Sequence, residues 1–170
     1  KAAMVLALAE PALVERLIVV DIAPVRRPPV HAPLVAALQA LDLGRVRRRA
    51  EADAALKPSV PEAALRAFLL QNLVPRDGGF AWRLNLDAIA AGMEDIAGFP
   101  EFPPGTQYRG PTLVLRGARS GYIESQDEAT FATLFPDYRL VTIADAGHWV
   151  QAEQPERFLA AVVPFLTDVS

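Results

Sequence analysis

The chain has two histidines in 170 residues, and one of them, His148, lies in DAGHWVQAEQPERF, Asp145 to Phe158. Imidazole titrates near neutrality, so it can take a proton and return it within one reaction. Gly147 delivers the histidine on a small-residue turn, Trp149 follows it, and Pro155 opens a helix. A general base of this kind works best beside a carboxylate that fixes its tautomer and steadies the imidazolium. Asp21 closes the apolar run LIVVD and is the first candidate. Open α/β sheets gather ligands at the C-terminal ends of their strands, and Asp21 and His148 both follow strand-like runs. Asp87, in NLDAI, has a position that suits a helix N-cap or first turn. Asp127 reads as first-turn helix charge. His31, in PPVHAP, reads as an N-cap-region residue without a chemical role.

The elements that must position this pair follow from the hydrophobic pattern. Lys1–Ala9 is dense in Ala, Met and Leu and reads as a buried helix stopped at Glu10-Pro11. Arg16–Asp21, Pro111–Gly117 and Tyr138–His148 read as core strands of a parallel sheet, the last running into the histidine turn. Ser125–Phe135 and Pro155–Leu166 read as helices, with Pro164 expected to kink or fray the end of the second. Between the first two strands the pattern turns helical. Leu34, Ala37, Leu38 and Leu41 have helical spacing, as do Leu65, Phe68, Leu69 and Asn72 after Pro61-Glu62. Asp77-Gly78-Gly79, then Phe80, Trp82, Leu84 and Leu86 in alternation, fits a hairpin or a tight loop into a helix. The expected class is therefore α/β: residues 1–24 and 110–170 form part of a parallel-sheet core, and residues 25–109 form a mostly helical cap (lid) insert. Three strands make a narrow sheet, as a partial fold would.

Composition narrows the partners. Net charge is −3, with 17 Lys and Arg against 20 Asp and Glu, which predicts no nucleic-acid partner. The basic cluster RVRRRAEAD, Arg45 to Asp53, reads as a solvated helix face. The chain has no cysteine, so it has no disulfide, thiolate metal site or Cys nucleophile, and a cytoplasmic location is expected. No apolar run reaches the roughly 18 residues of a membrane span. Neither the histidine spacing nor the glycines match a metal, dinucleotide or P-loop motif, so no metal and no cofactor are expected.

Four stretches carry a resemblance over essentially the whole chain: KAAMVLALAEPALVERLIVVDIAPV, FLLQNLVPRDGGFAWRLNLDAI, PTLVLRGARSGYI and DAGHWVQAEQPERF. Their strongest elements are VVDIAPV, WRLNLDA and AGHW. They resemble the small esterase or thioesterase-like branch of the α/β-hydrolases, the group similar to α/β-hydrolase domain-containing protein eleven. In that family a nucleophile elbow, Gly-His-Ser-Met-Gly-Gly, precedes the segment matching Lys1. The resemblance therefore implies a C-terminal part of a hydrolase, with the Ser about four residues before Lys1 and an N-terminal half as the missing partner. Ser59, Ser120, Ser125 and Ser170 lack the elbow setting. Many α/β-hydrolases place their acid after the strand matching TLVLRG, where this chain has Ser120; the branch resembled here has an Asp at DIAPV, which favours Asp21, with Asp87 in the family-like NLDAI as the alternative acid.

The implied reaction is cleavage of a small acyl ester or thioester by a Ser-His-Asp mechanism, with the isolated chain inactive. Phe68, Leu69, Trp82, Tyr122 and Trp149 are the candidate lining of an apolar acyl pocket. Two alternatives stand beside it: a non-catalytic binding domain, and a haloalkane, epoxide or C–C bond hydrolase of the same fold.

Overall fold

The computed structural model describes residues Lys1–Asp168; Ser170 lies outside them. In chain order the elements are α1 (Ala2–Ala9), β1 (Leu17–Val20), α2 (Ala32–Gln39), α3 (Arg49–Leu56), α4 (Ala63–Leu70), β2 (Leu73–Arg76), β3 (Gly79–Trp82), α5 (Leu86–Ala91) and α6 (Met93–Ala97). They continue with β4 (Thr112–Gly117), α7 (Glu128–Leu134), β5 (Tyr138–Ile143), α8 (Val150–Glu153) and α9 (Pro155–Thr167). The chain divides into two compact units. One joins Lys1–Arg26 to the chain from Phe99 onward; the other is Arg27–Gly98.

The first unit is built on the sheet β1-β4-β5, with both strand pairs parallel. Val19 registers with Val114, and Val114 with Leu140. Parallel neighbours cannot be joined by a hairpin, so α7 carries the crossover from β4 to β5. The strands are apolar because both faces are covered. On one face Leu17, Val19 and Val114 pack with Met4, Ala7 and Leu8 of α1 and with Phe131 and Phe135. On the other, Leu113 and Leu115 pack with Val162 and with the half-buried Phe158, Ala161 and Phe165 of α9. Phe99, Phe102 and Tyr108 join the first of these cores, and the Tyr108 hydroxyl donates to the Val14 carbonyl at 2.9 Å. The segment 99–109, read from sequence as the end of the insert, thus packs with the sheet.

Three local expectations change. The first helix is not buried all round: Met4, Ala7 and Leu8 face the core, while Leu6 is 45% exposed. Pro164 does not fray α9, which runs on to Thr167, and the Asp168 amide donates to the Pro164 carbonyl at 2.9 Å. Proline removes a single donor, and the turns on either side still close. The basic cluster is not one solvated helix face. Arg45–Arg48 precede the helix, and the Arg49 guanidinium donates to the Leu70 and Leu73 carbonyls.

The second unit has its own core of Leu38, Val46, Ala52, Leu56, Val60, Leu69, Leu70, Leu73 and Leu86. Its hairpin β2–β3 turns on Asp77 and Gly78, both at positive φ (49° and 78°), the backbone of a type I′ turn. Arg66 is buried, donating to Asp53 at 2.8 Å and to the Val60 and Pro61 carbonyls at 2.9 and 2.8 Å. Among the described residues no helix is long and apolar enough to cross a membrane.

Candidate active site

Asp21 follows the last residue of β1 and turns the chain out of the sheet at φ 49°. Asp tolerates this left-handed backbone better than most residues, because its short side chain makes local hydrogen bonds. The residue is fully buried. A buried carboxylate needs donors, and three converge on it. The Gly117 amide donates to Oδ1 at 3.0 Å, the Ser120 hydroxyl donates to Oδ2, and His148 Nδ1 lies 2.9 Å from the same Oδ2. The Asp21 amide also donates to the Leu115 carbonyl at 2.8 Å, tying the turn to β4.

His148 reaches this carboxylate because β5 ends beside β4 and the turn after it folds close. Gly117 ends β4 with no room for a side chain. A Cβ there would stand 2.1 Å from the Gly147 carbonyl oxygen and 2.8 Å from that of Ala146. Asp145, at φ 61°, bends the turn, and Arg157 holds it by donating to the Ala144 carbonyl at 2.8 Å and to Asp145 Oδ2 at 3.2 Å. Glu153 of α8 then ties both sides of the histidine: it accepts from the Gly147 amide at 2.9 Å and from the Trp149 amide at 3.3 Å. Those amide bonds, with Arg119 adding to them, hold the Glu153 carboxyl below the usual glutamate range. One imidazole face stacks on the Tyr122 ring, with centroids 3.7 Å apart and planes at 15°. The histidine side chain is 41% exposed.

This arrangement brings together Asp21, His148 and Tyr122 from three separate stretches. Trp149 sits at the N-cap of α8, 36% exposed. Asp87 lies in the first turn of α5 in the other unit, where its Oδ1 accepts from Gln39 Nε2 at 2.7 Å. Phe68, Leu69 and Trp82 also belong to that unit. Leu69 is buried in its core, Trp82 donates its indole N–H to the Leu38 carbonyl at 3.1 Å, and the Phe68 ring is half exposed. Gly117 and Glu153 carry no signal in the sequence reading, and Ser120 enters there as an absent acid and as a serine without the elbow setting. A glycine closing a core strand and an acid four residues beyond Trp149 were the marks available.

An imidazole held at Nδ1 by a buried carboxylate presents Nε2 for proton transfer, as a general base and then a general acid. Among the described residues no group of three His, Cys, Asp or Glu side chains could hold a metal ion.

Known proteins resemble this chain over nearly all of its length. It is 42% identical to the sn-1-specific diacylglycerol lipase ABHD11 of Danio rerio, over 98% of the chain and 54% of that protein. It is 32% identical to esterase YbfF of Escherichia coli, over 99% of the chain and 64% of that protein. A solved structure described as a marine microorganism esterase superposes with a TM-score of 0.91 at 34% identity, covering 97% of the chain and 66% of that structure. The chain thus spans about half the length of its vertebrate relative. Residues 2–155 match the family described as alpha/beta hydrolase fold, and the chain belongs to that family.

Proposed function

We propose that this chain supplies the acid–base half of a serine hydrolase that cleaves carboxylic esters or thioesters. The observation that carries the reading is the His148 Nδ1 to Asp21 Oδ2 contact of 2.9 Å, made to a carboxylate with no solvent exposure. An ionised carboxylate only accepts hydrogen bonds, so Nδ1 carries the proton and Nε2 is the basic nitrogen. The names of the relatives, a lipase and two esterases, support ester chemistry over the alternatives.

In the proposed cycle His148 Nε2 takes the proton of a serine hydroxyl as its oxygen attacks the acyl carbonyl. The imidazolium then gives that proton to the departing alcohol or thiol. Water gives a proton to the same nitrogen as it attacks the acyl-enzyme, and that proton passes to the serine oxygen as the acid leaves. Asp21 stays ionised and steadies the imidazolium each time it forms. The serine is assigned to sequence outside these residues. Ser120, the serine nearest Asp21 in the hydrogen-bond network, has its hydroxyl committed to that carboxylate. Trp149 is assigned to contact with the acyl group, and the helical unit Arg27–Gly98 is assigned the part of the cap.

The test is a p-nitrophenyl ester assay of the intact hydrolase, its His148→Ala variant and the isolated 170-residue chain. The intact protein should turn over the ester, and the other two should fall by about four orders of magnitude. Triad-level turnover by the isolated chain would refute the external nucleophile.

A further inference from the structure

In the sequence, Ser120 stands where many α/β-hydrolases place their acid, and Tyr122 reads as a candidate lining of the acyl pocket. Their geometry gives them another place. The Tyr122 ring lies flat against the His148 imidazole, at 3.7 Å between centroids and 15° between planes. Its backbone is tied to the same group as the imidazole: the Tyr122 amide donates to Ser120 Oγ at 3.2 Å, and that hydroxyl donates to Asp21 Oδ2, the oxygen facing His148 Nδ1. One serine oxygen therefore fixes both the orienting carboxylate and the aromatic platform. The next residue, Ile123, is buried in the sheet core, which anchors the loop beyond the ring.

We propose that Tyr122 is a positioning residue for His148: its ring face limits the tilt of the imidazole and favours the charged imidazolium over the neutral base. This rests on the reading of His148 as the hydrolase base. A single hydrogen bond at Nδ1 leaves an imidazole free to swing about its own axis, and a parallel ring removes that freedom. The negative face of the phenol attracts a cation stacked on it. The remaining charged groups around the ring leave that task to Tyr122. Asp21 acts in the plane of the imidazole through Nδ1, while Glu153 is engaged with the Gly147 and Trp149 amides. Arg119 donates to the Asp145 carbonyl at 2.6 Å and pairs with Glu153 at 3.4 Å. Burial, and secondarily the Asp21 charge, raise the Tyr122 phenol above its ordinary value of 10.0, so the platform stays neutral through the working range.

The experiment compares Tyr122→Phe, Tyr122→Leu and Asp21→Asn in the intact hydrolase, reading kcat, KM and the acid limb of kcat/KM against pH. The His148 titration is followed separately by ¹⁵N-imidazole NMR. Phe keeps the platform, so Tyr122→Phe should match the parent within about twofold. Leu covers the imidazole without a π face. Tyr122→Leu should lower kcat about tenfold with KM little changed, and should move the His148 titration down by about half a pH unit, the size of a modest cation–π contribution. A loss expressed in KM alone, a loss in Tyr122→Phe equal to that in Tyr122→Leu, or an unmoved or raised titration would each overturn the proposal. The NMR titration decides it even where a variant is poorly active. If Asp21→Asn keeps full activity, the underlying hydrolase reading fails; if only Tyr122→Leu is unaffected, the platform alone fails.

Discussion

Asp21→Asn is the substitution whose consequence can be worked furthest from the geometry. The carboxylate accepts from the Gly117 amide, the Ser120 hydroxyl and His148 Nδ1, and it is fully buried. Asparagine has one acceptor oxygen and two N–H donors. If its oxygen keeps the Gly117 amide, its NH₂ faces Ser120 and His148. His148 must then accept at Nδ1, which moves the proton to Nε2 and removes the base. Ser120 Oγ can turn to accept, yet it already receives the Tyr122 amide. The lost tautomer should lower kcat by about 10⁴-fold, equal to about 5.5 kcal/mol of barrier. The mismatched buried donors should cost about 1–3 kcal/mol of stability. Backbone strain does not confound the variant, because asparagine accepts the φ of 49° as readily as aspartate. The assay is steady-state ester hydrolysis by the intact hydrolase, run well below the melting temperature of the variant. Asp87→Asn is the control and should stay within about twofold, since Asp87 serves a hydrogen bond to Gln39. A folded Asp21→Asn protein keeping more than about a tenth of parental kcat/KM would refute the assignment of the orienting acid.

Other outcomes follow from the same contacts. Gly117→Ala should destabilise the protein by about 3 kcal/mol and displace the histidine turn, because its Cβ meets two carbonyl oxygens that belong to backbone; thermal melts and ester turnover should fall together. The Glu153 carboxyl is held below its ordinary value of 4.5, so its contribution is full above that pH and is lost as pH falls through the lower, folded value. Melting temperature measured from pH 6 down to pH 3 should therefore drop less steeply in Glu153→Gln than in the parent. Gly78→Ala meets no atom within 4 Å and sits at φ 78°. It should cost about 1 kcal/mol of stability from backbone strain alone, with ester turnover at 25 °C unchanged.

The strands were plain in the sequence because β-branched and leucine runs such as LIVV and TLVL suit strands buried on both faces. The Asp-Gly turn of the hairpin was equally local, since both of its residues take positive φ. Asp21 and His148 were legible as strand-end residues, although they stand 127 positions apart, because parallel topology gathers such ends on one edge of a sheet. What supports them was not legible. Ser120 looked like a missing acid; its bond to Asp21 spans 99 positions and depends on how the loop after β4 curls. Glu153 carried no signal, because its role needs the tight turn through Gly147 that no pattern announces. The exposed side of α1 was misread for a different reason: Ala and Leu have high helix propensity wherever they point, so density alone does not say which faces are covered.

Labelling with a serine-directed fluorophosphonate, followed by peptide mapping, tests the central proposal most directly. The intact hydrolase and its His148→Ala variant are treated side by side. The expected label falls on a single serine outside residues Lys1–Ser170, and is lost or strongly slowed without His148. Label on a serine within these residues, or label that forms equally well in the His148→Ala protein, would contradict an acid–base half that acts on a nucleophile from elsewhere.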